Sequence, residues 1–256
     1  MHLPLEVTLA GFLACCFSFV PAVAIGGLVQ LQNGTATFSQ PLGGLYTPAQ
    51  AIDGDLFGGD NGWAIARVDA FNGTNSETAV WETATELSAS NLTFTMYFFD
   101  SNPGHLLGRF RLSVTTDDRS TFADALPTGG DVDANWTVLT NLIVSGPAGM
   151  SFTTLGDASI LAEGVTAATG IYTVGYAAAV QHITGIRLEA IEDPTLPGGS
   201  GPGLFTRNGN FLLTEITLDA PVAAVPEPST AVLLGLGVLG CGLWQRKQSG
   251  STVGVP

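Results

Sequence analysis

Between residues 91 and 100 the chain reads "NLTFTMYFFD". Leu92, Phe94, Met96 and Phe98 fall on one side of an extended backbone, and Thr93, Thr95 and Tyr97 on the other. Side chains alternate across a sheet, so this two-residue period predicts a half-buried strand. "GRFRLSVTTDD" repeats the pattern, with Phe110, Leu112 and Val114 pointing one way and Arg109, Arg111 and Ser113 the other. "GIRLEAI" and "FLLTEITLD" follow the same rule. Asn208-Gly209 precedes the last of these, a pair suited to a tight turn with positive φ. No stretch of the body carries helical apolar spacing over a window of about eleven residues. Strands punctuated by Gly, Pro, Asp and Asn, without helices between them, predict an all-β, antiparallel jelly-roll sandwich.

The two ends break the alternation. Val7 to Val20 is an almost unbroken apolar run followed by "PAVA", which reads as a signal peptide over 1–24 with Ala22 and Ala24 at its cleavage site. The opening "MHLPLE" lacks the usual basic residues, so a buried N-terminal helix and a lipid attached at Cys15 or Cys16 are the competing readings. At the other end, Ser229 to Gln245 is a run of 17 mostly apolar residues closed by Arg246 and Lys247. As a helix it spans about 25 Å, against a hydrocarbon core of about 30 Å. The pattern predicts a C-terminal apolar helix in the membrane, with Arg246 and Lys247 as its cytoplasmic stop. The chain then divides into a leader (1–24), a sandwich (28–219), a spacer "APVAAV" (220–225), a sorting and membrane segment (226–247) and a tail (248–256).

Composition narrows the class. Of the 3 cysteines, Cys15 and Cys16 lie in the leader and Cys241 in the C-terminal run. The body therefore has no disulfide, thiol nucleophile or thiolate metal site. The formal net charge is −14, and the body's basic residues are all arginine. That balance repels phosphate backbones and excludes nucleic acid as a partner. It suits solubility outside the cell and capture of divalent cations. Sequons at Asn33, Asn72, Asn91 and Asn135 are what an Asn- and Thr-rich chain contains by chance.

The loop "AIDGDLFGGDNGWAI" sets Asp53, Asp55 and Asp60 among glycines. Hard oxygen ligands on a flexible loop are what calcium requires, and an Asp-Gly turn beside a solvated acidic loop has the same sequence. Catalysis has little support, and the chain is expected not to be an enzyme. His105 and His182 are far apart in sequence, and Glu82 and Glu86, which alternation puts on one face, lack a third carboxylate. Aromatic rings are better candidates, since sugar C–H faces stack on them while sugar hydroxyls bind planar polar groups. Trp63 and Phe205 are the candidate platforms, with Arg109 and Arg207 as polar partners; Trp81 and Trp136, set in strand-like sequence, read as core.

Taken in order, "AIDGD", "GWAI", "TAVWE", "LTFTMYF", "HLLGRFRLSVT", "NWTVL", "IYTV", "ITGIRLEAIEDPTLPGG" and "NGNFLLTEITL" resemble the discoidin-like (galactose-binding-domain-like, coagulation factor type C) sandwich. The resemblance is to the variant found in planctomycete surface and cytochrome-associated proteins. It implies an eight-stranded jelly roll with a structural calcium near the Asp-Gly-Asp loop. A Glu on the last strand, here Glu215, would join Asp53 and Asp55 as ligands. One departure is that "LFT" stands between "GPG" and Arg207, where the family's pattern brings the arginine sooner.

Pro226, Glu227 and Pro228, ahead of the apolar run, resemble the PEP-CTERM sorting signal, which an exosortase membrane protease reads in Gram-negative bacteria that make exopolysaccharide. That resemblance implies export to the cell envelope, outer surface or extracellular matrix through a transient inner-membrane stage. The expectation is a non-catalytic exported protein that binds envelope or extracellular polysaccharide. The alternative is a structural surface protein acting by protein contacts or self-association.

Overall fold

A computed structural model of the chain describes residues 26–67, 74–164, 167–197 and 201–221. Its strands are β1 (Gly26–Val29), β2 (Leu31–Ala36), β3 (Trp63–Ala64), β4 (Glu77–Ala89), β5 (Leu92–Phe98), β6 (Arg109–Thr115) and β7 (Thr137–Val138). They continue as β8 (Ile143–Ser145), β9 (Met150–Thr154), β10 (Ile160–Gly164), β11 (Gly170–Tyr176), β12 (Val180–Ala190), β13 (Leu212–Leu213) and β14 (Glu215–Pro221). One sheet has 5 strands in the order β1-β14-β5-β11-β8. The other has 7, in the order β2-β4-β12-β6-β10-β9 with β7 also on β6, and β13 pairs β3 separately. Successive long strands change sheets: β4 lies in the second, β5 in the first, β6 in the second. This is an antiparallel sandwich consistent with a jelly roll.

The alternation expected from sequence is what builds the core. Leu92, Phe94, Met96 and Phe98 of β5 are buried, as are Phe110, Leu112 and Val114 of β6 and Ile186, Leu188 and Ala190 of β12. Each large apolar side chain moved out of water contributes about 1.5–3 kcal/mol. Trp63, Trp81 and Phe211 form an edge-to-face aromatic group, with Trp63 5.2 Å from Phe211 and 6.4 Å from Trp81. Their polar atoms are satisfied: Trp63 Nε1 donates to the Phe38 carbonyl and Trp81 Nε1 to the Pro48 carbonyl. Behind Trp63, Gly62 sits at φ 141°, where a Cβ would lie 2.2 Å from the Leu213 carbonyl oxygen, so only glycine lets β3 approach β13.

Several expectations need correction. The eight strands implied by resemblance become 14 among the described residues, because short edge pieces and the β3–β13 pair are added. The sheet also runs past the expected boundaries of 28 and 219, since Gly26 pairs with Pro221. Glu82 and Glu86 do not share a face. β4 advances from Glu82 to Leu87 while its partner β12 covers only Gly185 to Ile183, so the ladder bulges. Glu82 is buried and accepts from the amides of Gln32 and Asn33, whereas Glu86 is exposed against His182.

The expected C-terminal apolar helix is corrected as well. Among the described residues no helix is long and apolar enough to cross a membrane. Positions 229–245, Arg246 and Lys247 lie outside the described residues, as do the leader and its Ala22–Ala24 site. The expected attachment to the membrane through that helix has therefore no support among the described residues.

Candidate functional site

The loops between β2 and β3, between β5 and β6, and between β12 and β14 gather at one end of the sandwich. Tyr97 at the end of β5 pairs with Glu215 at the start of β14, and the Leu56 carbonyl accepts from the Thr214 hydroxyl. The end of one strand is thus tied to the loop that precedes another.

The acidic loop follows a short 3-10 turn, Gln50–Ile52. Asp53 Oδ1 accepts from the Asp55 amide at 2.9 Å, and Oδ2 from the Asn61 side chain at 2.7 Å. Glu215 is buried, and its Oε2 accepts from the Gly54 amide at 3.2 Å. Burial pushes the Glu215 carboxyl up to about 7, and the charges of Asp53 and Asp55 add to the rise. A shallow hollow of about 200 Å³ lies beside these groups, lined also by Leu28, Ile52 and Thr217. That is below the range of about 300–1,000 Å³ usual for small-molecule pockets. The oxygen donors suit calcium in kind. In position they fall short: among the described residues no three His, Cys, Asp or Glu side chains gather closely enough to hold a metal ion.

On the other side of the same loop the surface turns aromatic. Phe57 is 64 % exposed and stands edge-on to Phe99, 4.7 Å between centroids. Asp60 accepts from the Ser101 hydroxyl, and the Gly59 carbonyl from the Ser101 amide. Burial raises the Tyr46 phenol, and the charges of Asp60 and Asp100 add to the rise. Asp100 Oδ1 accepts from the Asn102 amide at 2.6 Å, and its Oδ2 lies 3.3 Å from His105 Nδ1. His105 in turn is covered by Phe205, ring on ring at 3.8 Å. Phe57, Asp60, Ser101, Asp100, His105 and Phe205 therefore form one connected rim of rings, carboxylates and a hydroxyl.

The sequence-selected sugar residues fall in different places. Phe205 is half-buried on this rim. Arg207 is exposed in the turn that follows, where Gly209, at φ 70°, donates to the Phe205 carbonyl. Trp63 is a correction: its ring is fully buried in the core and offers no face to a sugar. Arg109 has its guanidinium committed, with Nε on Ser159, one terminal nitrogen on Asp193 and the other on Asp157. Its backbone amide still serves the rim by donating to the Pro202 carbonyl, which anchors the loop bearing Phe205. Sequence reasoning missed Phe57. Its setting in "GDLFGGD", glycines on both sides of an aromatic ring, is the signal that would have found it.

No curated protein sequence matches the chain. Among solved structures, the family 32 carbohydrate-binding module of C. perfringens NanJ, in complex with galactose, aligns over 76 % of this chain and 99 % of that one, at 11 % identity and a TM-score of 0.45. A Clostridium perfringens module in complex with GalNAc-β-1,3-galactose, CpGH89CBM32-5, aligns over 75 % and 99 %, at 14 % identity and 0.41. Reduced XRCC1 bound to the DNA polymerase β catalytic domain aligns over 77 % and 100 %, at 9 % and 0.40. At such scores no ligand or partner is carried over, and none of these structures singles out the planctomycete variant of the sandwich. What the comparisons identify is the tail: residues 224–247 match the PEP-CTERM protein-sorting motif, two residues earlier than the motif was placed from sequence.

Proposed function

We propose that the chain is an exported, non-catalytic carbohydrate-binding protein of the cell envelope or extracellular matrix. The observation that carries this reading is the exposed Phe57 ring, braced by Phe99 beside Asp60 and Ser101. The ring presents a flat apolar face to solvent, and a sugar C–H face is a fitting cover for it. Neighbouring carboxylate and hydroxyl oxygens supply the partners that sugar hydroxyls need. Phe205 and Arg207 stand further along the same rim.

For Asp53, Asp55 and Glu215 to hold a calcium ion beneath the loop, the three carboxylates would have to draw closer than they stand. The link is Asn61, which bonds Asp53 and follows directly on Asp60. An ion that drew them together would offset their mutual repulsion and steady the loop that carries Phe57. The sorting motif supports delivery to the envelope, with an exosortase-type protease as the processing partner.

The test is titration of neutral and acidic glycans into the protein, with and without calcium. Binding that weakens in Phe57→Ala supports the reading; absence of binding to every glycan overturns it.

A further inference from the structure

His105 stands where the loop after β5 meets the loop that carries Phe205. The residue is 8 % exposed, and the Phe205 ring is stacked on it. Its Nδ1 lies 2.9 Å from the Asn102 carbonyl oxygen and 3.3 Å from Asp100 Oδ2. A carbonyl oxygen only accepts, so Nδ1 carries a proton. A neutral imidazole has one such proton, which leaves Nε2 with a lone pair. Among the described residues nothing bonds Nε2, yet it is not sealed from water as Ser39 Oγ, Arg67 Nε and Arg187 Nε are. It reaches the surface of the rim as an acceptor. His182 makes a similar Nδ1 contact to Glu86, but it is exposed beside the β4–β5 turn, at the end of the sandwich opposite Phe98.

The groups around His105 agree with it in sign. The Ser101 hydroxyl gives its proton to Asp60, and the backbone and side-chain amides of Asn102 give theirs to Asp100. The donors of this loop are thus spent on its own carboxylates, and lone pairs remain on Asp60, Asp100 and His105 Nε2. Tyr46 keeps its phenol proton, because burial and the charges of Asp60 and Asp100 raise it. Phe205 brings no charge, and Arg207 in the turn beyond it already has a partner of its own. A sugar carboxylate or sulfate brought here would meet charges of its own sign. A sugar hydroxyl brings the proton that the surface lacks.

We propose that His105 sets the specificity of the rim: its neutral Nε2 accepts a hydroxyl proton from a neutral glycan, and a proton gained there turns the preference toward acidic glycans. This rests on the rim being the glycan site. Protonation makes Nε2 a donor and adds a positive charge beneath Phe205, so the hydroxyl contact is lost and a carboxylate becomes the better partner.

The experiment is titration of the full chain with neutral glucan, galactan and mannan oligomers, and with oligogalacturonate, from about pH 8 to about pH 5, across which histidine gains its second proton. Neutral-glycan affinity should fall about threefold or more on acidification, the worth of one hydrogen bond, while oligogalacturonate affinity rises. Glu215 titrates in the same range, at about 7, so the comparison is with His105→Gln, in which both trends should flatten. Nitrogen NMR of the parent protein labelled at histidine needs no variant. It should find His105 protonated on Nδ1 at about pH 8, and a neutral glycan should shift its Nε2 while leaving His182 in place. A proton on Nε2, an Nε2 unmoved by a bound neutral glycan, or a pH trend that survives in His105→Gln overturns the proposal and leaves the rim as the glycan site. Absence of binding by every glycan overturns the rim and this proposal together.

Discussion

Phe57 stands edge-on to Phe99, the ring planes 75° apart and the centroids separated by 4.7 Å, with Phe57 largely in solvent. Phe99 follows directly on β5 and is tied to the sandwich, so the pair fixes an exposed ring on a rigid base. Preorganisation of this kind lowers the ordering cost of binding. Phe57→Ala should reduce glycan affinity about tenfold or more, as truncation of an aromatic anchor does. Isothermal titration with whichever glycan binds best will measure it. An unchanged dissociation constant would move the site away from this rim.

Calcium should raise the melting temperature. An ion bound only by the folded state adds about 2.7 kcal/mol at a hundredfold excess over its Kd. For a domain of this size that is about 5–10 °C. Glu215→Gln should shrink the response. A melting curve indifferent to both calcium and chelator removes Asp53, Asp55 and Glu215 as ligands.

Acid should loosen the outer face of the larger sheet. The Ser159 hydroxyl, and beyond it the Arg109 guanidinium, hold the Asp157 carboxyl down at about 2, against an ordinary value of 3.8. A depressed carboxylate contributes stability that is complete above pH 3.8 and is lost as pH falls through about 2. The side chain is 40 % exposed, so solvent screening keeps the effect small and salt-sensitive. Acid unfolding followed by circular dichroism should show a shallower loss between these values in Asp157→Asn than in the parent. Equal slopes would mean that the bonds of Asp157 to Ser159 and Arg109 together contribute nothing measurable.

Trp63→Phe should separate stability from binding. It removes the indole donor to the Phe38 carbonyl and leaves a void beside Phe211 and Trp81. Denaturant unfolding should show a loss of about 1–3 kcal/mol, while glycan affinity stays at the parent value. Lost affinity with intact stability would return Trp63 to the binding site.

The alternation in "NLTFTMYFFD" was enough to assign the strand and its buried side, because it depends only on the geometry of one extended chain. The same reasoning failed for Glu82 and Glu86, where a bulge against β12 adds residues that no local period announces. It also over-weighted Trp63. A tryptophan beside a Gly-rich acidic loop has the sequence of an exposed platform, but the β3–β13 pairing turns its ring inward.

The sequence by itself determined an all-β, acidic body without cysteine, the acidic loop, and the sorting motif at the tail. These follow from composition and short-range period, which need no knowledge of neighbours. Tertiary structure alone decided that Phe57, His105 and Phe205 share one rim, and that Arg109 is committed to Asp157 and Asp193. The reason is register. Strands adjacent in the sheet are distant in the chain, and one step of slippage in their pairing would turn every such neighbour to the other face.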